Sequence, residues 1–124
     1  MNKISVITVC YNDAENLRKT LASMASQTAR RDIEHIVIDG GSKDETKALL
    51  EGNKEIDKWI SAADKGLYDA MNKGIAMASG EYLWFMNAGD VFYSDNTVES
   101  LIEELNQSDI VYGAAVLVDD QGRD

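Results

Sequence analysis

Short strand-like runs alternate with stripes of helical period along this chain, and few architectures accept that order. Residues 4–9 (ISVITV) are β-branched and apolar, the composition of a strand. Leu17, Leu21 and Met24 then recur at helical spacing. Residues 33–38 read as a second strand. The S-x-x-E pattern of Ser42-Lys43-Asp44-Glu45 has the form of a capping box, which predicts a short helix through Leu50. Trp59-Ile60-Ser61 is a weaker third strand. Leu67, Ala70, Met71, Ile75 and Ala78 share one helical face, stopped by Ser79-Gly80. Residues 82–86 (YLWFM) are apolar at every second position and at those between, as expected of a strand covered on both faces of a sheet. A helix start at Asn96-Thr97-Val98-Glu99 leads into Val98, Leu101, Ile102 and Leu105, and residues 109–112 and 115–118 read as two more strands. The expectation is an α/β fold: an open, mostly parallel sheet with flanking helices.

A length of 124 residues suits one domain, 1–124. Twelve basic residues against 22 acidic ones leave a formal net charge of −10, which argues against nucleic acid and against an anionic membrane as direct electrostatic partners. An anionic ligand would therefore need a metal or local cations to approach. Cys10 is the single cysteine, so no internal disulfide forms. No signal-like leader and no apolar run of spanning length is seen, so the expected setting is cytoplasmic, with at most peripheral contact at the inner face of a membrane. An exposed sheet edge leaves a homodimer open.

Ligands of open parallel sheets bind beyond the carboxyl ends of the strands. The polar clusters of this chain follow its strands: Tyr11-Asn12-Asp13 after the first, Asp39-Gly40-Gly41-Ser42 after the second, Asn87-Ala88-Gly89-Asp90 after the run at 82–86. Such a group suits a nucleotide. Tyr11 offers a face for stacking a base, and Asp39 can accept from an imide N–H or a ribose hydroxyl. Gly40 and Gly41 admit a close approach. Asp90 beside a diphosphate would suit a hard divalent cation. Each residue also has a plainer reading. Asn12-x-x-Glu15 has the spacing of a capping pair, Asn87 to Asp90 of a turn, and Lys65 and Lys73 of solvated charges. His35 and Cys10 read as packing.

Taken in order, ISVITVCYNDAENLRKTLASMASQT, EHIVIDGGSKDET and DKGLYDAMNKGIAMASGEYLWFMNAGD resemble the family-2 glycosyltransferases, which have the Rossmann-like GT-A nucleotide-sugar-binding fold. The last segment is similar to the subgroup that builds bacterial surface polysaccharides. The resemblance implies that Val9 and Tyr11 line the base, with Asn12 and Gly40 in the same donor-binding set. It implies that Asp39 holds a uridine or guanosine, and that Asp64 and the Asn72 region face the sugar-diphosphate, with Lys65 also in the donor-binding set. It further implies that Asn87 and Asp90 form a D-x-D-type motif whose last Asp ligates Mg²⁺ or Mn²⁺.

The expected activity is inverting transfer from a nucleotide sugar to a hydroxyl of a glycan or lipid-linked acceptor. Relatives often carry a second acid where Gly40 stands, further carboxylates where Asn87 and Gly89 stand, and Arg where Met71 stands. Relatives also continue for about another hundred residues, the size of a second half-domain holding the acceptor site and the catalytic base. The expectation is a donor-binding half, with the acceptor half beyond residue 124. The alternatives are a catalytically inactive nucleotide-binding module, a phospho-receiver domain and a sugar nucleotidyltransferase. The receiver lacks its Lys after Ile110-Val111-Tyr112, and the nucleotidyltransferase lacks a Gly-rich basic loop after the first strand.

Overall fold

The structure, a computed structural model, describes residues 4–107 and 117–118. β1 (Ile4–Cys10), β2 (Ile33–Asp39), β3 (Lys58–Ser61) and β4 (Tyr82–Asn87) form one parallel sheet in the order β3-β2-β1-β4. Helices α1 (Ala14–Ala25), α2 (Thr46–Gly52) and α3 (Leu67–Met77) make the crossovers, and a single 3₁₀ turn, Arg30–Asp32, leads into β2. A two-stranded antiparallel ribbon pairs β5 (Val91–Phe92) with β6 (Leu117–Val118), with α4 (Thr97–Gln107) between them in sequence. No helix of the described residues is long and apolar enough to cross a membrane.

Period-two alternation sorts β1 between two cores. Ile4 and Val6 pack with Met24, Trp84, Met86 and Val98, and Cys10 with Leu17, Leu21 and Leu50, on the α1 side. Ile7 packs with Ile36, Ile38 and Ala70 on the α3 side. Being central and covered on both faces, β1 and β2 are buried almost throughout, which is why their β-branched runs read so directly as strands.

Four expectations are corrected. β4 is not covered on both faces. It is an edge of the described sheet, and Leu83 is 44% exposed, because α3 packs over β1 and β2 instead. The Ser42 capping box does not form: α2 begins at Thr46, and the Ser42 hydroxyl is captured by the Asp39 carboxylate. Asn12 does not cap α1, which starts at Ala14 after Asp13; its Oδ1 accepts the Lys43 N–H at 2.7 Å instead. β5 was not anticipated, since two residues become a strand only through their distant partner. Leu117 and Val118 do lie in a strand, whereas the strand expected at 109–112 falls outside the described residues.

The candidate donor site at the switch point

In the order 3-2-1-4 the chain steps outward from β1 to β2 and β3, and α3 then carries it back to β4 on the other side of β1, so a crevice opens between the carboxyl ends of β1 and β4. Register aligns the polar clusters there, with Cys10 opposite Asp39, Asp39 opposite Ser61 and Val9 opposite Asn87. Two adjoining cavities fill the crevice. One of about 360 Å³ is lined by Val9, Cys10, Tyr11, Asp64, Gly66 and Leu67, with Ala70 below. The other, about 180 Å³, shares Val9 and Leu67 and continues to Met71, Phe85, Asn87 and Asp90. The larger one alone reaches the size of ordinary ligand pockets. The amino end of α3, entered through Gly66 at φ 118°, closes one wall of both.

Tyr11 is 58% exposed at the mouth, its ring open to a stacking partner. Asp64 stands beside it on the β3–α3 loop, with Oδ1 accepting the Gly66 N–H at 3.1 Å. Gly40 lies between them. A Cβ there would come within 3.1 Å of Asp64 Oδ2 and 3.3 Å of Tyr11 Cδ1.

At the other end, residues 87–90 form a tight turn closed by the Asp90 N–H on the Asn87 carbonyl. Asp90 Oδ2 in turn accepts the Asn87 N–H at 2.8 Å. Gly89 takes φ 102°, a left-handed conformation open to glycine. The turn and the ligand face are therefore the same object, since Asn87 and Asp90 also line the cavity.

Asp39 sits behind this wall, fully buried. It accepts the Ser42 N–H at 2.9 Å, the Ser61 hydroxyl at 2.8 Å, the Ser42 hydroxyl and, weakly, the Cys10 thiol at 3.5 Å. Burial and then the Asp39 charge push the Cys10 thiol well above its usual range, so it is no nucleophile. Asn12 holds the β1 loop to the β2 loop through Lys43 and Ser42. Lys65 is exposed, its N–H bonded to Asp69. Asn72 is also exposed on α3, one position past Met71, and neither cavity touches it.

Three contributors were not foreseen. Thr20 braces the Asp90 turn, Ser61 helps fill Asp39, and Leu67 lines both cavities. The signal for Thr20 was a hydroxyl inside the apolar stripe of α1.

No group of three metal-binding side chains exists among the described residues. Asp90 offers one carboxylate with one oxygen already committed, so these residues fit a hard divalent cation only in company with a diphosphate and water.

Fold and crevice together define a doubly wound α/β protein. Residues 5–124 match the family model described as Glycosyl transferase family 2, and the chain belongs to that family. It is 46% identical over 104 residues to an uncharacterized glycosyltransferase of Mycobacterium tuberculosis, across 83% of this chain and 40% of the relative. It is 37% identical over 122 residues to a PGL/p-HBAD biosynthesis glycosyltransferase of Mycobacterium bovis, across 91% of this chain and 46% of that one. The chain thus spans less than half the length of these curated relatives.

S. aureus TarS 1-349 in complex with UDP-GlcNAc superposes with a TM-score of 0.78 at 22% identity, covering 92% of this chain and 36% of that one. Mannosyltransferase PcManGT from Pyrobaculum calidifontis, in complex with GDP-Man and Mn²⁺, superposes at 0.74 and 22% identity, covering 83% and 32%. The fold is GT-A.

Proposed function

We propose that this chain is the donor-binding part of a glycosyltransferase that moves a sugar from a UDP- or GDP-linked donor to a hydroxyl of a glycan or lipid-linked acceptor. The observation that carries the reading is the pair of adjoining cavities at the switch point, with Tyr11 at one end and Asp90 at the other. The base stacks on Tyr11, and Val9 forms the floor shared by both cavities. The diphosphate lies along the amino end of α3, whose unpaired N–H groups favour negative charge in a chain of net charge −10. Asp39 and Asn12 act from behind, holding the loops that carry Tyr11 and Gly40.

Asp90 would hold a divalent cation together with the donor diphosphate, and such a cation would supply Lewis-acid stabilisation of the charge that builds on the leaving group. Transfer is inverting, with the acceptor hydroxyl attacking opposite the leaving group. The acceptor site and the base belong to sequence that the longer relatives carry beyond the matched part. The proposed setting is the cytoplasm, at the inner face of a membrane when the acceptor is lipid-linked.

The test is thermal unfolding with UDP, GDP and CMP, with and without Mn²⁺, on this chain and on Asp90→Asn. A ligand at 100 times its dissociation constant adds about 2.7 kcal/mol, a shift of several degrees for a domain of this size. A Mn²⁺-dependent shift with UDP or GDP that disappears in Asp90→Asn is expected. No shift with any nucleotide sinks the proposal. The missing carboxylates at Asn87 and Gly89 favour one second reading, an inactive nucleotide-binding module. Its mark would be a nucleotide shift indifferent to Mn²⁺ and to Asp90.

A further inference from the structure

We infer that Asp64, rather than Asp39, is the carboxylate that reads the edge of the base, and that Gly40 makes room for it. This rests on the donor-site reading above and adds which bases the site accepts.

Asp39 has no acceptor capacity left. An ionised carboxylate offers about four lone-pair positions. Those of Asp39 are met by the Ser42 N–H, the Ser42 hydroxyl, the Ser61 hydroxyl and the Cys10 thiol, inside a residue with no exposed surface. Turning it toward a base would break the bonds to the half-buried Ser42 and Ser61 donors and uncover the buried Cys10 thiol. Nor does Asp39 line either cavity.

Asp64 has what Asp39 lacks. It lines the cavity that holds Tyr11. Only its Oδ1 is hydrogen-bonded among the described residues, to the Gly66 N–H. Its Oδ2 and the Tyr11 ring approach one point, the place where a Cβ on residue 40 would be, to within 3.3 Å. A base stacked on Tyr11 therefore brings its edge to Asp64 Oδ2. A Cβ at position 40 would need the carboxylate or the ring to give way by a few tenths of an ångström.

A carboxylate only accepts hydrogen bonds. It pairs best with a ring N–H, such as uracil N3–H or guanine N1–H with N2–H₂ beside it, and disfavours cytosine, whose N3 lone pair repels the carboxylate and whose N4 amino group alone can donate. The ligand class is a uridine or guanosine diphosphate derivative, not a cytidine one.

The experiment is calorimetric titration with UDP, GDP and CDP in Mn²⁺, on the wild-type chain, Asp64→Asn and Gly40→Ala, with the ligand-free Tm of each recorded. The wild type is expected to bind UDP or GDP at least tenfold more tightly than CDP. Asp64→Asn, whose amide can donate to cytosine N3, should lose at least tenfold for the preferred nucleotide and narrow or reverse the preference over CDP. Its ligand-free Tm should stay within about a degree. Gly40→Ala should weaken the preferred nucleotide several-fold by displacing Asp64, and it carries the test if Asp64→Asn folds poorly.

Binding by the wild type with the same base preference in Asp64→Asn overturns this inference and leaves the donor site standing. An unchanged affinity and preference in a folded Gly40→Ala does the same. Failure of the wild type to bind any of the three overturns the donor site, and this inference with it.

Discussion

Thr20 holds the Asp90 turn from the neighbouring helix: its Oγ1 donates to the Asp90 carbonyl at 2.7 Å and accepts the Gly89 N–H at 2.9 Å. One fully buried hydroxyl on α1 thereby sets the turn that carries Asp90 to the cavity. Thr20→Val keeps the shape and removes both bonds, leaving the Gly89 N–H buried without an acceptor. The expected cost is about 1–3 kcal/mol, read as a Tm several degrees lower. Thr20→Ser should recover most of it. Equal Tm values for Val and Ser variants would show that the hydroxyl is not what holds the turn.

Gly74 governs how closely α3 lies on the sheet. A Cβ there would stand 2.4 Å from Ile7 Cγ2, on a side chain fixed in the middle of the central strand. Glycine to alanine inside a helix normally gains up to about 1 kcal/mol. Here overpacking should win, for a net loss of roughly 1–3 kcal/mol in urea unfolding. The double variant Ile7→Ala with Gly74→Ala should be less destabilised than the sum of the two single changes, since the residues share one volume. Strict additivity would mean that the clash is relieved elsewhere.

Much of this fold is legible in the sequence. β1 and β2 were placed to within a residue, because a strand buried on both faces must be apolar almost throughout, and β-branched runs say so locally. The grouping of Tyr11, Asn87 and Asp90 on one edge followed from the parallel order alone. What was hidden depended on distant partners. Leu83 is exposed because α3 lies elsewhere, and β5 exists because residues 117 and 118 pair with it. Ser42 fits both a cap and a carboxylate partner, and the buried Asp39 decides between them. Asn72 and Met71 differ by one step on α3, enough to separate solvent from cavity. The division of labour between Asp39 and Asp64 turns on Ser61 and Cys10, neighbours only through sheet register.

Asp39→Asn tests that division from the stability side. The amide brings donors of its own into a buried place already crowded with donors, so at least one must go unpaired. A loss of about 1–3 kcal/mol per stranded donor is expected without any ligand present. Asp64→Asn should cost almost nothing in the same measurement. A reversed order of the two, by urea midpoint, would mean that Asp64 and not Asp39 organises the loops.

Acid should destabilise the fold through two buried groups. Burial holds the His35 imidazole down to about 3, with the Arg30 charge adding to the effect and Asp57 opposing it; Nε2 lies 2.8 Å from the Thr8 hydroxyl. Unfolded, the ring titrates near 6.5. Above that pH both states are neutral and nothing is lost. Between 6.5 and 3 the unfolded chain binds a proton that the folded chain refuses, so stability falls as pH falls, by about 1.4 kcal/mol per unit. Burial alone would raise the Glu34 carboxyl. The Ser79 N–H, the Lys58 ammonium and the Ser5 and Ser79 hydroxyls outweigh it and bring the group down to about 2. Its contribution is whole above 4.5 and fades as pH drops toward 2. The urea midpoint should therefore decline from pH 6.5 and more steeply below 4.5. His35→Gln should flatten the upper part of that decline and spare the lower part, while Glu34→Gln should do the opposite. A wild-type midpoint that stays level from pH 7 to 5 would contradict a neutral, buried His35.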